Sequence, residues 1–142
     1  AFTTGGAQSV QWTQEIPPEM NVERGSSLFA MLAPGTASTE AIRSVLDYVS
    51  AGHAAGNLTG GGASTANTVC TTGSNALSTA ASFVTEVKVA TFTSGEFAQN
   101  SVVAFKWKRD SSSTVAGDAH AGNIHLISFQ LQYFDRRAST ST

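Results

Sequence analysis

"SVVAFKWKRD", residues 101–110, alternates apolar and polar side chains along its length. Val103, Phe105 and Trp107 fall on one side of an extended chain; Val102, Ala104, Lys106 and Lys108 fall on the other. A period of two is the signature of a half-buried β-strand. The aromatic and basic residues therefore point opposite ways and cannot jointly clamp one base or one sugar ring. This strip reads as a sheet strand whose aromatic face enters a core, with Arg109 and Asp110 beginning the following loop.

The flanking sequence repeats the pattern. In "SFVTEVKVATF", residues 82–92, Phe83, Thr85, Val87, Val89 and Thr91 share one face, with Val84, Glu86, Lys88 and Ala90 on the other. "TSGEFAQNS" carries turn residues around Gly95 and Asn100. "SSSTVAGDAHAGN" is a polar loop, and "NIHLISFQLQYF" is a long last strand with His125, Ile127, Phe129, Leu131 and Tyr133 on one face.

The N-terminal half runs in the same order. "SVQWTQEI" alternates Val10, Trp12, Gln14 and Ile16; "PPEMNVERGS" is a turn-rich connector; "SSLFAMLA" is a short strand; "PGTASTE" is a loop. Elements recur at about 76 residues, so that Ile16 matches Phe92 and Gly25 stands near the position of Asn100. The repeat decides "STEAIRSVLDYVSAG". Ile42, Val45, Leu46 and Val49 have helical spacing, but the segment corresponds to the last strand of the second half. It is assigned as a strand with Ile42, Ser44, Leu46 and Tyr48 on one side. The expectation is one all-β domain over 1–142, a β-sandwich of two similar halves (approximately 8–50 and 83–135). A Gly/Ala/Ser/Thr-rich connecting loop over 51–82 joins them, with Val69, Cys70, Ala76 and Leu77 as apolar anchors through which part of it docks or forms a short strand. "RRASTST" forms a polar tail.

Composition agrees. The chain has 142 residues, enough for one core. Ser and Thr supply about a quarter of it, while Lys and Glu, the usual helix-surface residues, are scarce. Only 13% of residues are charged and the net charge is −2, which argues against a nucleic-acid binder with its basic footprint. So little surface charge suits a subunit packed in an assembly better than a free monomer. The single cysteine, Cys70, has no His or basic neighbour in sequence and reads as a bystander thiol. No apolar run reaches membrane-spanning length. "AFTTGGAQ" lacks the basic and apolar regions of a signal peptide, and Ala1 fits removal of an initiator Met.

Residues with chemical potential are few. His53, His120, His125 and Asp118 do not have the spacing of a metal site, which needs three or four converging ligands. Asp110, Asp118 and Glu96 lack the dense acidic spacing of a calcium loop. There is no G-x-S-x-G elbow. The Gly60-Gly61-Gly62 run is followed by "ASTA" rather than the Lys-Ser/Thr of a phosphate cradle. Asn57-Leu58-Thr59 matches a glycosylation acceptor, which matters only in a secreted chain. The expectation is no catalytic residue, no bound cofactor and no metal.

"FTSGEFAQNSVVAFKWKRD", "GDAHAGN" and "ISFQLQYF", with "IPPEMNVERGSSLFAML" as a weaker copy, resemble the small jelly-roll structural proteins of bacteriophage virions. That resemblance implies a capsid decoration (cement) protein on the virion surface, commonly a homotrimer, bound to the major capsid protein and to neither nucleic acid nor membrane. It brings no catalytic residues. The alternative is a carbohydrate-binding β-sandwich of a phage fibre or secreted adhesin, with Trp12, Trp107, Tyr48 and Tyr133 as stacking platforms. Most of these share faces with Val, Ile and Phe, which favours core packing. A major coat subunit ranks below both, because the chain has no basic arm.

Overall fold

The computed structural model describes residues 9–52, 64–70, 77–110 and 118–137. They form seven strands: β1 (Ser9–Glu15), β2 (Ser26–Pro34), β3 (Ile42–Gly52), β4 (Ser64–Cys70), β5 (Thr85–Phe92), β6 (Ser101–Arg109) and β7 (Ile124–Gln132). There is no helix among the described residues. Sheet I has the order β1-β6-β3-β4, sheet II the order β5-β2-β7, and every pairing is antiparallel. The two sheets pack face to face as a β-sandwich. Every connection crosses from one sheet to the other except β3 to β4.

Alternation builds the interior. From sheet I come Leu46, Val103, Phe105 and Trp107; from sheet II come Leu28, Ala30, Leu32, Val87, Val89 and Phe92, all in one buried cluster. Each fully buried side chain of this size contributes about 1.5–3 kcal/mol of transfer free energy. Along β6 the expected split holds: Val103, Phe105 and Trp107 are buried while Lys106 is exposed. Segment 42–52 is a strand, with Ile42, Ser44 and Leu46 buried and Tyr48 half-buried. Val45, on its outer side, is buried as well.

Two β-bulges move the faces expected for the other strands. One lies opposite Leu28/Phe29, where the register passes from Ala90 to Lys88. Beyond it Ala90 and Phe92 turn inward and Thr91 outward. Phe83 and Val84, ahead of β5, are exposed. The second bulge lies opposite Met31/Leu32, where the register jumps from Ser128 to Leu126. Ile127 is the extra residue: it and His125 are exposed, while Ile124 and Leu126 face the core on one side of it and Phe129 and Leu131 on the other. One inserted residue inverts the parity of everything beyond it.

Two further corrections concern the loops. The connector expected over 51–82 contains the end of β3 and all of β4, and Leu77 beyond it is anchored in the core. Arg109 does not begin a loop; it is the last residue of β6 and is buried.

Candidate functional site

The densest cluster of polar side chains sits where β6 ends. The parity that sends Val103, Phe105 and Trp107 inward also sends Arg109 inward, and its guanidinium is 2% exposed as part of the residue. A buried cation is tolerated only when paired and fully hydrogen-bonded. Asp118 supplies the pair: Arg109 Nε donates to Oδ2 at 2.9 Å and Nη2 to Oδ1 at 2.8 Å, a bidentate fork. Arg109 Nη1 donates to the Gly122 carbonyl at 2.6 Å, and Nη2 also to the His120 carbonyl. Asp118 Oδ2 also accepts the Arg43 backbone N–H at 3.0 Å.

Residues 118–123 are thereby sewn to the segment entering β3. The N–H groups of Ala119 and His120 both donate to the Ala41 carbonyl, and Gly35 donates to Asn123. The His120 ring is buried; its Nδ1 lies 3.1 Å from the Gly122 N–H and 3.3 Å from the Gly122 carbonyl oxygen. Nε2 is buried without a hydrogen-bond partner among the described residues. Gly122 is closely packed: a Cβ there would stand 2.0 Å from Thr36 Oγ1, so that side chain would have to shift. Beside this cluster Trp107 Nε1 donates to Ser44 Oγ at 2.6 Å. The Arg109 guanidinium and the Asp118 carboxylate are spent on each other and on neighbouring backbone groups, so the pair acts as a clip holding residues 118–123 against the sandwich.

The β1–β2 and β5–β6 connectors carry a second device. Glu96 accepts the Tyr48 hydroxyl and, through its other oxygen, the Thr93 N–H at 2.8 Å. Glu19 accepts the Tyr133 hydroxyl at 3.0 Å. Burial, then the Glu19 bond, raises the Tyr133 phenol above its ordinary value.

The other sequence candidates do not converge. Among the described residues no three His, Cys, Asp or Glu side chains form a group able to hold a metal. Asp118 is committed to Arg109 and Glu96 to Tyr48, His125 is exposed on β7, and His53, Gly60-Gly61-Gly62 and Asn57-Leu58-Thr59 lie outside the described residues. Cys70 ends β4 opposite Ile42. Of the proposed sugar platforms, Trp107 is fully buried and Trp12 stacks on Phe105 at 5.0 Å and on Phe129 at 4.2 Å. Tyr48 packs edge-on to Phe92. The exposed ring of Phe134 carries the Arg24 guanidinium 3.8 Å from its centroid.

The outer face of sheet I holds a depression of ≈ 160 Å³ over Ala104, bounded by Val49, Gln11, Lys106 and Asp47. It is smaller than the roughly 300–1,000 Å³ of typical small-molecule sites. Comparison with known proteins identifies no relative: no family model, no curated protein and no solved structure matches the chain.

Proposed function

We propose that the chain is a non-enzymatic structural protein of a virus particle: a capsid decoration subunit of jelly-roll topology, built from two repeated halves. It would work on the shell surface as a homo-oligomer, a trimer, bound to the major capsid protein and to neither nucleic acid nor membrane. The observation that supports this most is the strand pairing. In sheet I, β6 lies between β1 and β3; in sheet II, β2 lies between β5 and β7. Exchanging β1 with β5, β2 with β6 and β3 with β7 turns one set of pairings into the other. That exchange is what the 76-residue repeat requires, and the segments that carry the likeness to virion jelly rolls, "FTSGEFAQNSVVAFKWKRD" with "IPPEMNVERGSSLFAML" as its weaker copy, are partners in that repeat.

Such a subunit stabilises a shell by many weak contacts multiplied by symmetry and avidity. Its low charge and its committed polar groups fit that role. The carbohydrate-binding alternative has less support, because the rings it needs are packed against other rings. The test is to strip purified particles of the protein and add it back. Saturable rebinding with a raised shell-disruption temperature is expected; indifference of the shell to the added protein refutes the proposal.

A further inference from the structure

We infer that the depression over Ala104, on the outer face of sheet I, receives the exposed ring of Phe83 from a second copy of this chain. The inference deepens the homo-oligomer reading above and rests on it. Parity places Gln11, Asp47, Val49, Ala104 and Lys106 on the face of sheet I turned away from the core. Ala104 pairs with Thr13 on one side and Val49 on the other, and its short side chain leaves a gap in that row. The next row, Gln11, Lys106 and Asp47, has longer side chains and forms a polar wall. The gap measures ≈ 160 Å³. A cavity of about 150 Å³ takes up one benzene ring, so the depression is sized for a single phenyl side chain.

The same chain carries a ring that matches. Phe83 is 63% exposed and Val84, beside it, is 42% exposed. Two backbone hydrogen bonds build the turn that presents them: Ser82 N–H to the Pro34 carbonyl at 2.7 Å, and Phe83 N–H to the Ala80 carbonyl at 3.4 Å. Ser82 adopts a φ of 62° there, a left-handed conformation that is unfavourable for serine. Docking would remove both apolar side chains from water.

Charge selects the fit. The other exposed ring, Phe134, already carries the Arg24 guanidinium. Past Phe83, β5 turns Glu86 and then Lys88 outward, both exposed. At the rim of the depression Lys106 stands opposite Asp47 across the β3–β6 pairing. An acid–base pair beside the ring therefore meets a base–acid pair at the rim, Glu86 toward Lys106 and Lys88 toward Asp47. The ring adjoins sheet II and the depression lies on sheet I, so the contact joins unlike surfaces. Repeated, such a contact closes a ring of subunits or extends a filament.

The test uses the full chain, with light scattering over a concentration series and circular dichroism to verify folding. The expected result is association, with a mass above 14.7 kDa. Phe83→Ser removes the ring and Ala104→Trp fills its place; each should raise the concentration for half-association about tenfold or more. Lys106→Glu and Glu86→Lys bring like charges together, and each should weaken association about tenfold. The double variant Lys106→Glu/Glu86→Lys should return to within about threefold of the starting chain. A monomer at every concentration, or association that ignores Phe83→Ser and Ala104→Trp, overturns the inference. So does a charge-swapped double variant no better than either single one. If the contact fails while stripped shells still rebind the protein, the virion reading survives it. If the contact holds while the shells ignore the protein, the virion reading alone falls.

Discussion

In the first half of the chain β2 fills the core with Leu28, Ala30 and Leu32; in the second, β6 does so with Val103, Phe105 and Trp107. Both strands begin at a buried serine, Ser26 or Ser101, and both follow a connector with a buried apolar residue, Met20 or Phe97, beside a glutamate that holds a tyrosine. They part at their ends. β2 closes on Pro34, whereas β6 closes on Arg109, buried against Asp118. Similar backbone pairing thus rests on different interiors: aliphatic and small in one half, aromatic with a buried ion pair in the other. Where the large rings and the buried charge sit, a single substitution should do the most damage.

Four predictions press on that contrast. Trp107→Ala should cost about 3–5 kcal/mol in chemical denaturation, against about 2–5 kcal/mol for Leu32→Ala at the corresponding place in β2. If the two losses are reversed, the second half is not the better-filled one. Asp118→Ala should cost about 3–5 kcal/mol by leaving Arg109 buried and unpaired, and replacing both partners by leucine should recover much of it. The Arg137–Asp135 pair has similar fork geometry but an exposed guanidinium and a half-buried carboxylate, and Asp135→Ala should cost clearly less than Asp118→Ala. Equal losses at the two aspartates would show that burial is not what matters.

Gly122→Ala should cost about 1–3 kcal/mol through its clash with Thr36, with partial relief in Gly122→Ala/Thr36→Ala. The last prediction concerns the connectors. Tyr133→Phe should cost about 0.5–1.5 kcal/mol at neutral pH, and Tyr48→Phe about as much. Since folding raises the Tyr133 pKa above 10.0, its contribution is fully present below that value and declines as pH rises through the folded-state value. A melting-temperature series should therefore show an alkaline decline near and above pH 10 that weakens in Tyr133→Phe.

Much of this architecture was legible in the sequence because alternation is a local property. The strands at 9–15, 26–34, 42–52, 85–92, 101–109 and 124–132 coincide with its apolar periodicity, and the repeat separated strand from helix at 42–52. The bulges were not legible. Nothing in "HLISF" marks Ile127 as the inserted residue, since bulge placement is set by pairing with Met31 and Leu32 on a distant strand. The Arg109–Asp118 clip was half legible: the parity of 103, 105 and 107 already sends 109 inward, and a buried guanidinium demands a carboxylate. The choice of Asp118 over the adjacent Asp110 depends on how the intervening loop returns. β4 was legible only as the apolar anchors Val69 and Cys70 within the connecting segment, because "STANTVC" has too few apolar positions for a period to show.

The central claim, a structural subunit of a virus particle, is most directly tested by quantitative mass spectrometry of particles purified to constant composition. The account predicts this chain at a fixed molar ratio to the major shell protein, removable without loss of the shell. Its absence from such particles, or a ratio that drifts downward with each purification step, would contradict the account.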